Sequence, residues 1–252
     1  MLHRRIFQFF IIFFLFLGGL MLLKFSLGLS DYVIPSPSGI LHTLIAEYRQ
    51  YSLATMNTMT VAVVGQILSV ILAFTIGIAG RRSTWFGSFI KVTAYNIQAY
   101  PIVALAPILF ILLGDGFLTR LLIAAMICYF PVLLSVIGIM STPVDDIEHF
   151  YRATGRMRWQ LEVKIRAFEN LTQLITVISG SATLAMAGTI VAEFIAANAG
   201  IGYSIRIALY QSDLAKILIA LFLIGITIAV YQALLELLGA AIKRTWTGNA
   251  RP

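Results

Sequence analysis

Residues 55–79 read TMNTMTVAVVGQILSVILAFTIGIA. These 25 positions hold no charged side chain and no proline. A helix needs about 20 largely apolar residues to cross roughly 30 Å of hydrocarbon, so this stretch predicts a membrane span. Five more stretches outward from it qualify: Ile6–Leu23, Ile90–Leu113, Phe117–Met140, Leu171–Ala192 and Leu214–Leu238. The span over Ile90–Leu113 is the least regular, because Lys91, Asn96, Gln98, Pro101 and Pro107 interrupt it. The composition agrees: 60% of the 252 residues are hydrophobic and 12% charged. One soluble core cannot bury that much apolar surface, so the bilayer is the solvent. A cytosolic enzyme, a secreted scaffold and a disordered tail are excluded. Arg4 and Arg5 before the first run also fit a signal peptide, but no small-residue cleavage site follows.

Charge sets the orientation. With the N-terminus in the cytoplasm, the inner segments hold thirteen of the eighteen basic residues and six acids. The outer segments hold five of each. The whole net charge of +7 then lies inside, as expected for an even number of spans with both termini cytoplasmic. The sequence therefore predicts an all-α polytopic membrane protein of about six spans. The basic excess belongs to the membrane surface and not to a nucleic acid. Cys128 has no disulfide partner in the chain, and His3, His42 and His149 lack metal-ligand spacing.

The inner loop 141–170 is the longest and most charged. Thr142, Pro143 and Asp145 suit a helix start, and Gly155 suits its end. A second helix follows, with Met157, Leu161, Ile165 and Phe168 as its apolar stripe. Arg158, Glu162, Arg166 and Glu169 form a ladder of alternating sign, read as a solvated face. The hairpin fits either a rest under the bilayer or a dock for a soluble partner. On the outer side, Tyr32–Pro37 is extended and leads to a short amphipathic helix over Ser38–Gln50. The loop from Glu193 to Asp213 is too polar to span and dips into the outer mouth.

Several blocks resemble the permease subunits of ATP-binding-cassette (ABC) importers. The Gly155 loop resembles their EAA signature: Gly155 and Ile165 match, whereas His149, Phe150, Tyr151, Ala167 and Phe168 replace its other positions, and Glu148 stands one residue out of register. Ile34-Pro35-Ser36-Pro37 resembles a Leu-Pro-Ser-Pro found in the permeases for sulfonate, taurine, nitrate, bicarbonate and thiamine-precursor uptake. Pro101, Ala104, Pro107, Gly114 and Gly116 resemble the same branch, as do Gly155, Arg158, Trp159, Gln160 and Leu161. The block Val191–Tyr203, VAEFIAANAGIGY, resembles it most closely.

The resemblance implies a type I permease, working with a second copy or a homologue, a pair of cytoplasmic ATPases and a periplasmic or lipid-anchored binding protein. ATP and magnesium would be held by the ATPase, since this chain has no phosphate-cradling Gly-x-x-x-x-Gly-Lys-Ser/Thr. It carries no cofactor, metal or catalytic residue of its own. The expected organisation is a first helix and outer segment over 1–54, a permease core over 55–243 and a tail over 244–252. Glu148, His149, Tyr151, Gly155, Arg158, Trp159 and Ile165 are the expected coupling residues. Asn96, Gln98, Tyr100, Pro101, Pro107, Thr183 and Glu193 are the pathway candidates.

Glu193 is read first as an interfacial acid bonded to nearby backbone, with a functional role as the alternative. Ser179, Ser181, Thr183, Ala185, Ala187 and Thr189 suit close helix packing, and also a place at the pathway or subunit interface. An ion-coupled transporter or channel is the main rival, disfavoured because no acid lies in the middle of a span. A membrane enzyme is disfavoured by its scattered histidines. The resemblance implies a small polar solute as substrate, such as a sulfonate, nitrate, bicarbonate or a thiamine-precursor-like compound.

Overall fold

A computed structural model describes residues 2–80, 83–99, 101–141 and 159–248. Among these residues every regular element is a helix. In chain order they are α1 (Leu2–Leu27), α2 (Pro37–Ala79), α3 (Thr84–Ala99), α4 (Ile102–Leu113), α5 (Phe117–Ser141), α6 (Trp159–Glu169), α7 (Leu171–Ile195), α8 (Ile201–Tyr210) and α9 (Leu214–Gly248). Five of them, α1, α2, α5, α7 and α9, are long and apolar enough to cross a bilayer. The sixth expected span is not one straight helix: α3 and α4 meet at 93°. Pro101 explains the break, because proline donates no N–H and turns the residue before it away from helix.

The outer helix expected over Ser38–Gln50 is not separate either. It is the first third of α2, which runs unbroken for 43 residues and through the boundary drawn at residue 54. Ser36 caps it by accepting a hydrogen bond from the Gly39 N–H at 3.3 Å, and Pro37 occupies the first turn. Polarity falls between Gln50 and Thr55, but no breaker stands there, so the helix continues.

The core forms where α5 lies between α2 and α7. Val132, Leu133, Val136 and Met140 of α5 meet Ala62 and Ala73 of α2 and Ala185 and Met186 of α7. Approach is close: a Cβ on Gly77 would stand 2.7 Å from Val136, and one on Gly188 3.1 Å from Ala124. Small residues permit this in a bilayer, where apolar burial alone does not drive helices together. Polar bonds add to it. The Gln66 amide donates to the Ile178 carbonyl at 2.8 Å and to Ser181 Oγ at 2.9 Å, and accepts from the Tyr231 hydroxyl at 2.6 Å. Three spans are thus tied together near mid-membrane. Cys128 is buried beside them.

Helix α1 is peripheral and packs on α9. Phe9, Phe10 and Phe13 surround Phe222 with ring centroids 5.1–5.9 Å apart, and Phe9 lies over Gly225. Phe7, Phe14 and Phe16 remain exposed, as lipid-facing side chains do. The Arg5 guanidinium donates to Glu236 through Nε at 2.9 Å and to Gln232 at 2.7 Å. The start of α1 therefore lies beside the latter part of α9, consistent with both termini on one face. Helix α8 is 10 residues long, about 15 Å, too short to span, as expected of the 193–213 segment.

Candidate functional site

Glu193 stands two residues before the end of α7 and is fully buried. Its carboxylate accepts hydrogen bonds from Thr58 Oγ1 of α2 at 2.7 Å and from the Gly202 N–H at 3.0 Å. The Arg120 guanidinium of α5 lies 3.5 Å away and also donates to Asn57 at 3.1 Å. Thr58 Oγ1 in turn accepts the Ile201 N–H at 2.8 Å. One carboxylate therefore ties α2, α5 and α7 to the start of α8. The glycines make this possible. Gly200 has φ +96°, and a Cβ there would fall 2.1 Å from the Glu193 carboxyl. A Cβ on Gly202 would fall 2.4 Å from the Ile190 carbonyl oxygen.

The expected backbone partner of Glu193 is thus present, but the acid is enclosed and paired, not lying at a wet interface. The sequence reading did not single out Arg120. The signal was available: an arginine inside the apolar run 117–140 needs a buried partner. Thr58 carried no comparable signal.

At the inner end, Glu148, His149, Tyr151, Gly155 and Arg158 lie outside the described residues, as does the expected first loop helix. Trp159 opens α6, and Ile165 is half-buried on it. The ladder expected to face solvent does not do so throughout. Arg166 is buried, donates to the Met140 carbonyl near the end of α5, and pairs with Glu162 at 2.9 Å. Val163 and Ala167 pack on the core beside it, while Phe168 is exposed. The inward face of α6 is therefore 163, 166 and 167, and not the predicted stripe through Ile165 and Phe168. Met140 explains the shift: a helix end offers bare carbonyls, which attract a guanidinium more than a phenyl ring.

Of the pathway candidates, Asn96 and Gln98 are exposed on α3, and Pro101 and Pro107 are exposed at the α3–α4 break and within α4. Tyr100 lies outside the described residues. Thr183 is exposed on α7 and accepts a hydrogen bond from Gln232 at 2.5 Å. The structure does not gather these residues into one pocket: α3 packs on α5 and α2, whereas Thr183 belongs to α7.

The small residues of α7 divide by face. Ser179, Ser181, Ala182, Ala185 and Thr189 are buried against neighbouring helices. Thr172, Thr176, Gly180, Thr183 and Ala187 are exposed and recur every three or four residues, which puts them on one stripe. Lys243 of α9 donates to Thr172 at 2.8 Å, at the inner end of that stripe.

The family described as "binding-protein-dependent transport system inner membrane component" matches residues 67–247, from mid-α2 through nearly all of α9. This chain belongs to that family. It is a multi-pass permease of the inner membrane. A riboflavin transport system permease protein of Chloroflexus aurantiacus is 37% identical over 143 residues, 55% of this chain. That alignment covers 53% of the relative, so the chain spans about half its length. A formylaminopyrimidine transport permease protein of Halalkalibacterium halodurans is 24% identical over 84% of this chain and 83% of its own. A probable ABC transporter permease protein of Haemophilus influenzae is 24% identical over 68% of this chain and 70% of its own. In the permease, α1 and the outer part of α2 lie ahead of the family match.

Proposed function

We propose that this permease is the membrane subunit of an ABC importer, forming a translocation pathway with a second copy or a close homologue. The observation that carries this reading is the exposed stripe Thr172, Thr176, Gly180, Thr183 and Ala187 on a bilayer-spanning helix. Lipid is a poor neighbour for a row of hydroxyls and a glycine; a polar solute or a facing subunit is a good one. A pair of cytoplasmic ATPases, holding ATP and magnesium, docks on the 141–170 loop through the residues around Gly155 and Trp159. A periplasmic or lipid-anchored binding protein delivers the solute to the outer mouth.

The substrate class is a small polar heterocycle. Two relatives are named for riboflavin and formylaminopyrimidine transport, and the five residues of the stripe are uncharged, with Lys243 meeting it at Thr172, at the inner end. A surface of hydroxyls suits such a solute better than sulfonate, nitrate or bicarbonate, which call for cationic groups.

The test is reconstitution. Permease, ATPase and binding protein in liposomes should take up labelled riboflavin or a formylaminopyrimidine when ATP is supplied. Uptake by the permease alone under a proton or sodium gradient would overturn the reading in favour of an ion-coupled transporter.

A further inference from the structure

We infer that α5 is a transmission rod, joined to the inner coupling loop by Arg166 and to the outer mouth by Arg120. The inference rests on the proposal that ATPases act on the 141–170 loop. It assigns positioning roles to two arginines that lie at opposite ends of one helix.

Arg166 fastens α6 to the inner end of α5. It is 4% exposed, so it turns away from any soluble partner, and its guanidinium donates to the Met140 carbonyl. Glu162, one turn earlier, holds it from the other side at 2.9 Å. A buried guanidinium on the bare carbonyls of a helix end is a charge-assisted bond with fixed geometry. Displacement of α6 is therefore felt at the end of α5.

Arg120 fastens the outer end. Twenty residues of helix separate it from Met140, about 30 Å, which is the thickness of the hydrocarbon. There it meets Glu193, the residue whose carboxylate also holds Gly202 and, through Thr58, the Ile201 N–H. The start of α8 is thus bonded to the same cluster as α5. Between the two ends, α5 runs unbroken from Phe117 to Ser141, through Pro131. Gly65 and Gly77 of α2 and Gly188 of α7 press against it at distances that leave no room for a methyl group without adjustment. A close-packed helix gripped on two sides transmits a shift at one end instead of absorbing it. The consequence is that the inner loop and the outer mouth move together.

The experiment uses the complete complex with its ATPase subunits, purified into nanodiscs, with Cys128 replaced by serine. One spin-label pair at residues 164 and 244 reports on the inner side, and another at 115 and 210 reports on the outer side; all four positions are exposed. Distances are measured without nucleotide and with ATP trapped by vanadate. Both pairs should respond in the parent complex. In Arg166→Gln the inner response should persist, while the share of molecules showing the outer response should fall about fivefold or more, the lower range of coupling between sites. Arg166→Lys, which retains a cationic donor, should recover part of the outer response. If Arg166→Gln does not accumulate, the double variant Arg120→Gln/Glu193→Gln asks the same question from the other end, with the same expected result. Retention of both responses, or loss of both, in the variant would overturn the rod. No response of either pair in the parent complex would overturn the ATPase-driven reading beneath it.

Discussion

Arg120 and Glu193 illustrate how a single pair can bear on a whole transporter. Both are buried, and each is the charged partner of the other. Removing one partner of a buried pair leaves the other uncompensated, at a cost of roughly 3–5 kcal/mol, whereas removing both costs far less. Arg120→Leu should therefore lower the unfolding midpoint in detergent sharply, and Arg120→Leu/Glu193→Leu should restore much of it. Equal loss in single and double variants would show that the pair is not coupled. Gly200→Ala adds a methyl group where the backbone is left-handed and the Glu193 carboxyl already sits. It should destabilise the permease by about 2 kcal/mol or more, read in the same melting assay.

At this scale the sequence was only half legible. Glu193 stood out because an acid at the end of an apolar run is rare. Its partners come from residues 58 and 120, far away in the chain, and no local pattern points from one to another. Arg166 was misassigned because a ladder of alternating charge reads as a wet face. What turned it inward is the end of α5, which sequence periodicity does not reveal.

Among the elements, α7 was the most legible and α3–α4 the least. Small residues on α7 pointed both to packing and to a pathway, and the fold buries one set of them and leaves another exposed. Thr183→Trp, on the exposed face, should cut uptake about tenfold or more while the permease accumulates normally, since it blocks without unpacking. Ala185→Trp, on the buried face, should instead reduce the amount of permease in the membrane. Immunoblotting of membranes beside an uptake assay separates the two. If both variants behave alike, the division of faces is wrong. The α3–α4 break was foreshadowed by Pro101, yet a tolerated kink and a right-angled turn read the same in sequence. For α2, a fall in polarity was mistaken for an end, although Tyr51, Ser52, Leu53 and Ala54 all continue a helix.

For the molecule as a whole, charge asymmetry was the strongest guide. Basic residues are retained on the cytoplasmic side during insertion, and this needs no knowledge of packing. A cysteine at His42 should label from the outside, and one at Lys164 from the inside. Cys128 is buried and should stay silent in both experiments. Labelling of both positions from the same side would overturn the topology.

The unbroken length of α2 has a mechanical consequence. At 43 residues it is about 65 Å long, twice what the hydrocarbon needs, so its outer third stands clear of the bilayer like a mast. A tilt of about 5° at the inner end would swing the masthead by ~6 Å. Nine residues, 28–36, moor that masthead to the outer end of α1, with Ser36 as the last link. Small angular changes within the membrane would therefore be magnified at the outer surface, and the peripheral first helix would be drawn along with them.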